Sequence, residues 1–353
     1  IKRDGDCLGA PSVCDGQLYV TTTKQFYCFP IPNSGIKVDA APEADIPKAG
    51  KPAALQIIPA ETVVMTGDKQ VFRIRSVDAN GFVVSEDVKG VKWESFIPPT
   101  AKVKATMDAQ FNEAGELVVA SDAKVSAGAF KATSPDGLTG TIRGRALKNL
   151  PITQDFESYT LTEEFPVDPQ NNPAYKFAYP PLPWIGARFK FQVMEKDGSK
   201  VFGKSFDRLL FQRASVFFAP SHLKNYTMQA DVLTEGNARS KADIGLINQR
   251  YLVCLRGNAG KLEVSSNPER LKQEVAFKMT ANKWYTLKCR VDVATDGSGV
   301  VQAKAWEKGA AEPDAWTIEV KVPRAHTNGS PGIFGFTPLN QKRMYLDNLS
   351  VTP

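Results

Sequence analysis

Apolar residues in this chain alternate with polar ones far more often than they recur every three or four positions. Leu18, Val20, Phe26 and Cys28 fall on alternate positions around an Asp15-Gly16 pair. The same period of two runs through Val91-Lys92-Trp93-Glu94-Ser95-Phe96 and through Tyr226–Val232, Trp284–Val291 and Val300–Glu307. A period of two marks strands with one buried face. Helical periodicity is nearly missing, so the pattern predicts an all-β protein.

Turn residues divide the strands into three groups. In residues 1–30, Asp15-Gly16 supplies the positive backbone angles of a two-residue hairpin within a tight meander. A small meander is marginal in water by itself. Residues 31–51 are rich in Pro, Ala, Gly and Lys and read as a linker. Residues 52–150 hold about seven short strands broken by Pro59, Gly67-Asp68, Asn80-Gly81 and Asp136-Gly137, with Trp93 expected in a central strand; that spacing predicts a small two-sheet sandwich. Residues 151–353 hold around a dozen strands and predict a two-sheet jelly roll.

Each group also resembles a known family. The Pro11, Asp15-Gly16, Tyr19, Thr21 to Thr23 and Tyr27 pattern resembles a blade of the pyrroloquinoline-quinone-type β-propeller repeat. That resemblance implies a terminal blade fragment whose remaining blades lie upstream or in another chain. The chain is then expected to be the C-terminal part of a longer protein, and no quinone-site residue transfers to it. The Pro-rich first strand, the Asp78-Ala79-Asn80-Gly81 hairpin, the Trp93 strand and Asp136-Gly137-Leu138-Thr139-Gly140-Thr141 resemble bacterial immunoglobulin-like domains. The opening Phe156-Glu157, the Asn282-Lys283-Trp284-Tyr285-Thr286-Leu287-Lys288 strand and the closing Asp347-Asn348 strand resemble the concanavalin-like, laminin-G-like superfamily.

Charge narrows the partners. The 353 residues carry a formal charge of +6, with acids interspersed among the bases. This predicts solvated faces and no nucleic-acid surface. No stretch reaches the roughly 18 apolar residues that a membrane span needs. Five cysteines are too few for a disulfide scaffold and lack zinc spacing. Cys14 and Cys28 are expected on the outer strands of the meander, too far apart to bond.

Catalytic signatures fail one by one. Glu163 and Glu164 are adjacent and would point to opposite faces of a strand. Glu312 and Asp314 bracket Pro313 in a turn-like stretch. His222 and His326 stand in separate loop-like stretches, and no Gly-x-Ser-x-Gly elbow exists. Gly257-Asn258-Ala259-Gly260-Lys261 lacks phosphate-loop spacing and reads as a hairpin turn. Asp292 to Gly299 lacks the ligand alternation of a calcium loop and reads the same way. No enzyme is therefore expected and no cofactor, except that the jelly-roll resemblance implies a structural calcium shared by Glu157 and Asp347.

For binding, Tyr175-Lys176-Phe177-Ala178-Tyr179-Pro180-Pro181-Leu182-Pro183-Trp184 is the foremost candidate. Prolines hold it extended, so Tyr175, Tyr179 and Trp184 could form a stacking platform for sugar rings, at a low ordering cost. The competing reading packs these aromatics into the core, and it applies equally to Trp306 and Trp316. Arg250 and Tyr251 could hydrogen-bond a ligand or hold a strand edge. Together these features predict a non-catalytic module that binds a polysaccharide or a surface protein, and the family resemblances imply an extracytoplasmic location (periplasmic, cell-surface or secreted). The alternatives are a structural subunit of a surface assembly, and the tail of a quinoprotein-like enzyme or a diverged glycosidase.

Overall fold

The computed structural model describes residues 4–7, 9–30, 48–101, 103–165, 174–205, 212–338 and 342–353. Every named element is a β-strand. Chain contacts divide it into two compact units, Ile1–Ala49 and Gly50–Pro353.

In the first unit, Ser12–Cys14, Gln17–Thr21 and Phe26–Pro30 form one antiparallel meander. Asp15 and Gly16 both have positive φ, 49° and 69°, as the two-residue hairpin requires. Cys7, Cys14 and Cys28 are free and exposed. A propeller blade has four strands; three are present among the described residues here. Most of the expected linker, residues 31–47, lies outside them.

Within Gly50–Pro353, the first hundred residues build a small sandwich with its own core of Leu55, Ile57, Val64, Ile74, Leu117, Phe130 and Ile142. Its largest sheet runs Glu61–Met65, Thr139–Leu147, Ser126–Thr133 and Lys92–Phe96 in spatial order. Trp93 therefore stands on an edge strand, not a central one. Its indole still finds apolar contact, stacked 3.9 Å from the Phe111 ring.

The rest is a sandwich of two antiparallel sheets. The larger sheet has ten strands, with nine along its main path. In spatial order these are Glu163–Phe165, Tyr175–Ala178, Phe191–Lys196, Ser199–Lys204, Met344–Thr352, Thr227–Thr234, Trp284–Val293, Gly299–Glu307 and Ile318–Val322. The tenth, Ile152–Gln154, pairs with the Met344 strand. The smaller sheet runs Arg213–Phe217, Gly332–Phe336, Asp243–Asn248, Tyr251–Arg256, Lys261–Ser266 and Leu271–Ala276. Between them Phe191, Phe202, Val232, Ile244, Val253, Leu287 and Val301 form one continuous core. Alternation then dictates the outside. If Val232, Leu287 and Leu346 point inward, Asp231, Leu233, Thr286, Tyr345 and Asp347 must point outward.

Candidate functional site

Registers between strands place the outward residues of the larger sheet in two cross-strand rows. Gly203 pairs with Tyr345, Tyr345 with Leu233, and Leu233 with Trp284. One step along the strands, Asp347 pairs with Asp231, Asp231 with Thr286, and Thr286 with Trp306. The first row is apolar and aromatic. Met194, Val201, Leu233 and Tyr345 form a buried cluster there, separate from the main core, with Tyr175 and Trp284 packed against it. Gly203 makes the row possible, because a Cβ there would stand 3.1 Å from the Tyr345 ring and 3.0 Å from Met194.

Ionic groups interleave with the rings. The Arg343 guanidinium lies 4.2 Å above the Tyr175 ring, Lys196 Nζ 5.3 Å from Tyr345, and Lys308 Nζ 5.2 Å from Trp284. Such contacts contribute about 0.5–2 kcal/mol each. Tyr345 Oη donates to Glu235 Oε1 at 2.6 Å, Tyr175 Oη to Gln192 Oε1 at 2.7 Å, and Trp284 Nε1 to Asp197 Oδ2 at 2.9 Å. Burial, reinforced by Glu235, raises the Tyr345 phenol above its ordinary range.

The polar row centres on Asp231. Its Oδ1 accepts from Thr286 Oγ1 at 2.7 Å; its Oδ2 accepts from Asn348 Nδ2 and from Lys308 Nζ, each at 2.9 Å. A register shift between Gln229 and Asp231, with Asn348 at φ 49°, marks a bulge. Bulges re-aim side chains, and this one lets the Asn348 side-chain amide reach both Asp231, at 2.9 Å, and Asp347, at 3.4 Å. Burial raises the Asp347 carboxyl above its ordinary value; the Asn348 amide and Lys308 oppose that, while Asp231 and Glu157 add to it.

The expected site residues fall in three places. Tyr175, Asp347 and Glu157 belong to this face. Glu157 Oε1 accepts from the Lys200 amide at 3.0 Å, and the Asp347 carboxylate accepts from the Asn348 amide at 2.8 Å. Among the described residues no group of three or more His, Cys, Asp or Glu is placed to hold a metal ion. Tyr179 and Trp184 lie instead where the two sandwiches meet. Trp184 offers no free ring face: it is 9% exposed and packs against Phe156, Phe202 and Phe218. The platform therefore does not form as one surface.

Arg250 and Tyr251 stand in the third place, on the smaller sheet. Tyr251 is wholly buried, so it cannot meet a ligand; its hydroxyl donates to Glu269 Oε1 at 2.9 Å. Arg250 shares a hairpin with Gln249, both at positive φ, and lines a cavity of about 340 Å³ with Ser266 and Ser330. Ser266 Oγ is 2.9 Å from His326 Nε2, and Glu269 Oε1 is 3.3 Å from that same nitrogen. A serine relay needs the acid on the opposite ring nitrogen, so this cluster is a buried polar network without that geometry. Burial lowers the His326 imidazole; Glu269 opposes this and Arg250 adds to it.

Sequence reasoning missed Asp231, Thr286, Tyr345, Leu233 and Lys308. It placed Trp306 and Trp316 in the core, whereas both are half-exposed, with Lys304 Nζ 6.0 and 4.9 Å from their rings.

No family model matches this chain, and no curated protein matches it. Among solved structures it is similar to the carbohydrate-binding module CBM66 from Bacillus subtilis, at 14% identity over 48% of this chain and 96% of that one, with a TM-score of 0.34. It is similar to the Bacillus licheniformis beta-glucanase at 7% identity, over 58% and 99%, with a TM-score of 0.36. It is also similar to the exoplasmic/lumenal domain of VIP36 at 12% identity, over 48% and 81%, with a TM-score of 0.29. At these values the matches bear on neither ligand nor chemistry.

Proposed function

We propose that residues 151–353 form a non-catalytic glycan-binding module of an extracytoplasmic protein, and that polysaccharide lies along the outer face of the ten-stranded sheet. One observation carries this reading: two partly exposed indoles, Trp284 and Trp306, stand on neighbouring strands beside the polar row Asp347–Asp231–Thr286, while Tyr345 and Leu233 are buried and support Trp284 from beneath. A pyranose has an apolar C–H face and a rim of hydroxyls, so it needs both kinds of surface side by side. Trp284 and Trp306 are half-exposed and offer indole surface for stacking. Asn348 and Lys308 are exposed and held in position by the buried Asp231, so they offer donors at a reduced ordering cost of binding. A shallow face of this kind binds weakly one site at a time, and repeated display raises the avidity.

The experiment is titration of the chain against a glycan array and cell-wall polysaccharides, with Trp284→Ala in parallel. We expect saturable binding to at least one polysaccharide and about tenfold weaker binding by the variant. No binding by the unaltered chain, or equal binding by the variant, would overturn the reading.

A further inference from the structure

The small sandwich and the jelly roll belong to one compact unit, and three clefts lie between them. Their volumes are about 430, 600 and 740 Å³. Large exposed apolar side chains collect there: Val63 and Ile185 line the first, Ile97 and Leu182 the second, Val125 and Leu182 the third. Such clustering marks an interaction surface, whereas scattered single residues do not.

The 600 Å³ groove is also strongly charged. Arg143, Arg145, Arg188 and Lys190 line it, and among the described residues no Asp, Glu, Asn or Gln does. Glu61 meets Arg143 and Arg145 at 3.4 Å each, so with Arg188 three guanidiniums line the groove against one carboxylate at its edge. Arg188 stands 5.4 Å from the Tyr179 ring and 5.0 Å from the Phe189 ring. Phe189 itself is 55% exposed at φ 67°. A bulky residue rarely adopts that conformation, and strain of this kind gathers at ligand clamps.

We propose that this groove docks an extended, acidic segment of a partner protein, with apolar side chains spaced between its carboxylates. The charges call for an anion, and guanidiniums pair with carboxylates in forked geometry. The choice of protein over acidic glycan follows from the floor. Ile97, Val103, Leu182 and Ala127 suit aliphatic side chains, while sugar hydroxyls would lack side-chain amide and carboxylate partners. This surface is separate from the face assigned to glycan, so the chain would join a polysaccharide to a protein.

The test uses fluorescence anisotropy of the whole chain with a labelled peptide of alternating Glu and Leu, interrupted by Pro to keep it extended. Binding is expected to weaken about threefold between roughly 50 and 300 mM salt. It should weaken about tenfold or more in the Arg143→Glu, Arg188→Glu double variant, and measurably in Leu182→Ser. Trp284→Ala should bind the peptide unchanged, which separates this test from that of the glycan face. The proposal is overturned if the peptide does not bind, if a Gln-for-Glu peptide binds equally well, or if both groove variants bind like the unaltered chain. Tighter binding of polygalacturonate at this groove would overturn it in favour of an acidic glycan. Should the double variant fail to fold, Arg188→Gln and Leu182→Ser decide the matter by the same readout.

Discussion

The two outer faces of the jelly roll carry similar residue types to different ends. On the six-stranded sheet the ions pair with one another across the strands. Arg256 Nη1 meets Asp243 Oδ2 at 3.2 Å, Arg256 Nη2 meets Glu263 Oε1 at 2.6 Å, Lys272 reaches Glu263 and Glu274 at 3.5 Å, and Lys261 pairs with Glu274. On the ten-stranded sheet cations pair as well, Lys288 and Lys304 with Glu312 at 2.8 and 2.7 Å. There, however, Arg343, Lys196 and Lys308 also lie over the rings of Tyr175, Tyr345 and Trp284, and donors converge on Asp231. A ladder of paired charges presents water with satisfied groups, whereas the partly exposed indoles of Trp284 and Trp306 leave apolar area for a ligand. The first arrangement stabilises a fold; the second is suited to binding.

Breaking the ladder at its centre is expected to have the largest effect. Asp243 and Glu263 are 9% and 3% exposed. Burial raises the Asp243 carboxyl despite the Gly257 amide and Arg256; at Glu263 burial also pushes upward, but the Arg256 hydrogen bond and charge prevail and hold it below its ordinary value. Arg256→Ala leaves both acids without their shared cation and is expected to destabilise by about 3 kcal/mol, read as a shifted urea midpoint. Polysaccharide binding should stay unchanged. If it weakens as much as in Trp284→Ala, the two faces do not differ in the way described.

On the opposite face, Lys308→Met sharpens the contrast. This lysine neutralises Asp231 and lies over Trp284, but it is 41% exposed, so screening limits its worth to about 0.5–1 kcal/mol. The pH dependence is more telling. Asp347 has a folded value raised above 3.8, so the folded chain takes up its proton more readily than the unfolded one, and stability is gained as pH falls toward that folded value. Removing Lys308 removes an influence that lowers Asp347. The variant's deficit at pH 7 should therefore shrink as the pH falls toward the folded value of Asp347. A deficit that does not vary with pH would separate Lys308 from Asp347. Calcium probes the same place: with Lys308 as counter-charge, the melting temperature should be equal in calcium and in chelator. A calcium-dependent rise would establish instead the cation site expected of Glu157 and Asp347.

Much of the strand pattern was legible because alternation is a local property. Thr227–Thr234, Trp284–Val293 and Gly299–Glu307 lie within two residues of where the apolar period places them. Ser199–Lys204 was not visible, since Val201 and Phe202 are both buried, one in each cluster. A strand covered on both faces loses its alternation. The site was hidden for another reason. Asp231 and Asp347 are cross-strand partners far apart in sequence, and searching one strand at a time for paired carboxylates cannot find them. Trp306 could have been read correctly. Val301, Ala303 and Ala305 are buried on one parity, which sends Gln302, Lys304 and Trp306 outward.

The smallest expected effect is at the rim of the ladder, and it tests whether that face depends on its buried centre or on the number of its ion pairs. Lys272 is 63% exposed and lies 3.5 Å from both Glu263 and Glu274. An exposed lysine gains little from such contacts, because water screens the charge and the side chain gives up rotamer freedom to hold one geometry. Lys272→Ala should therefore shift the melting temperature by about a degree or less, even though Glu263 is buried, because Arg256 still supplies its cation at 2.6 Å. A loss comparable to that of Arg256→Ala would mean that Glu263 needs both cations, and that the ladder works as one cooperative network with no dominant central pair.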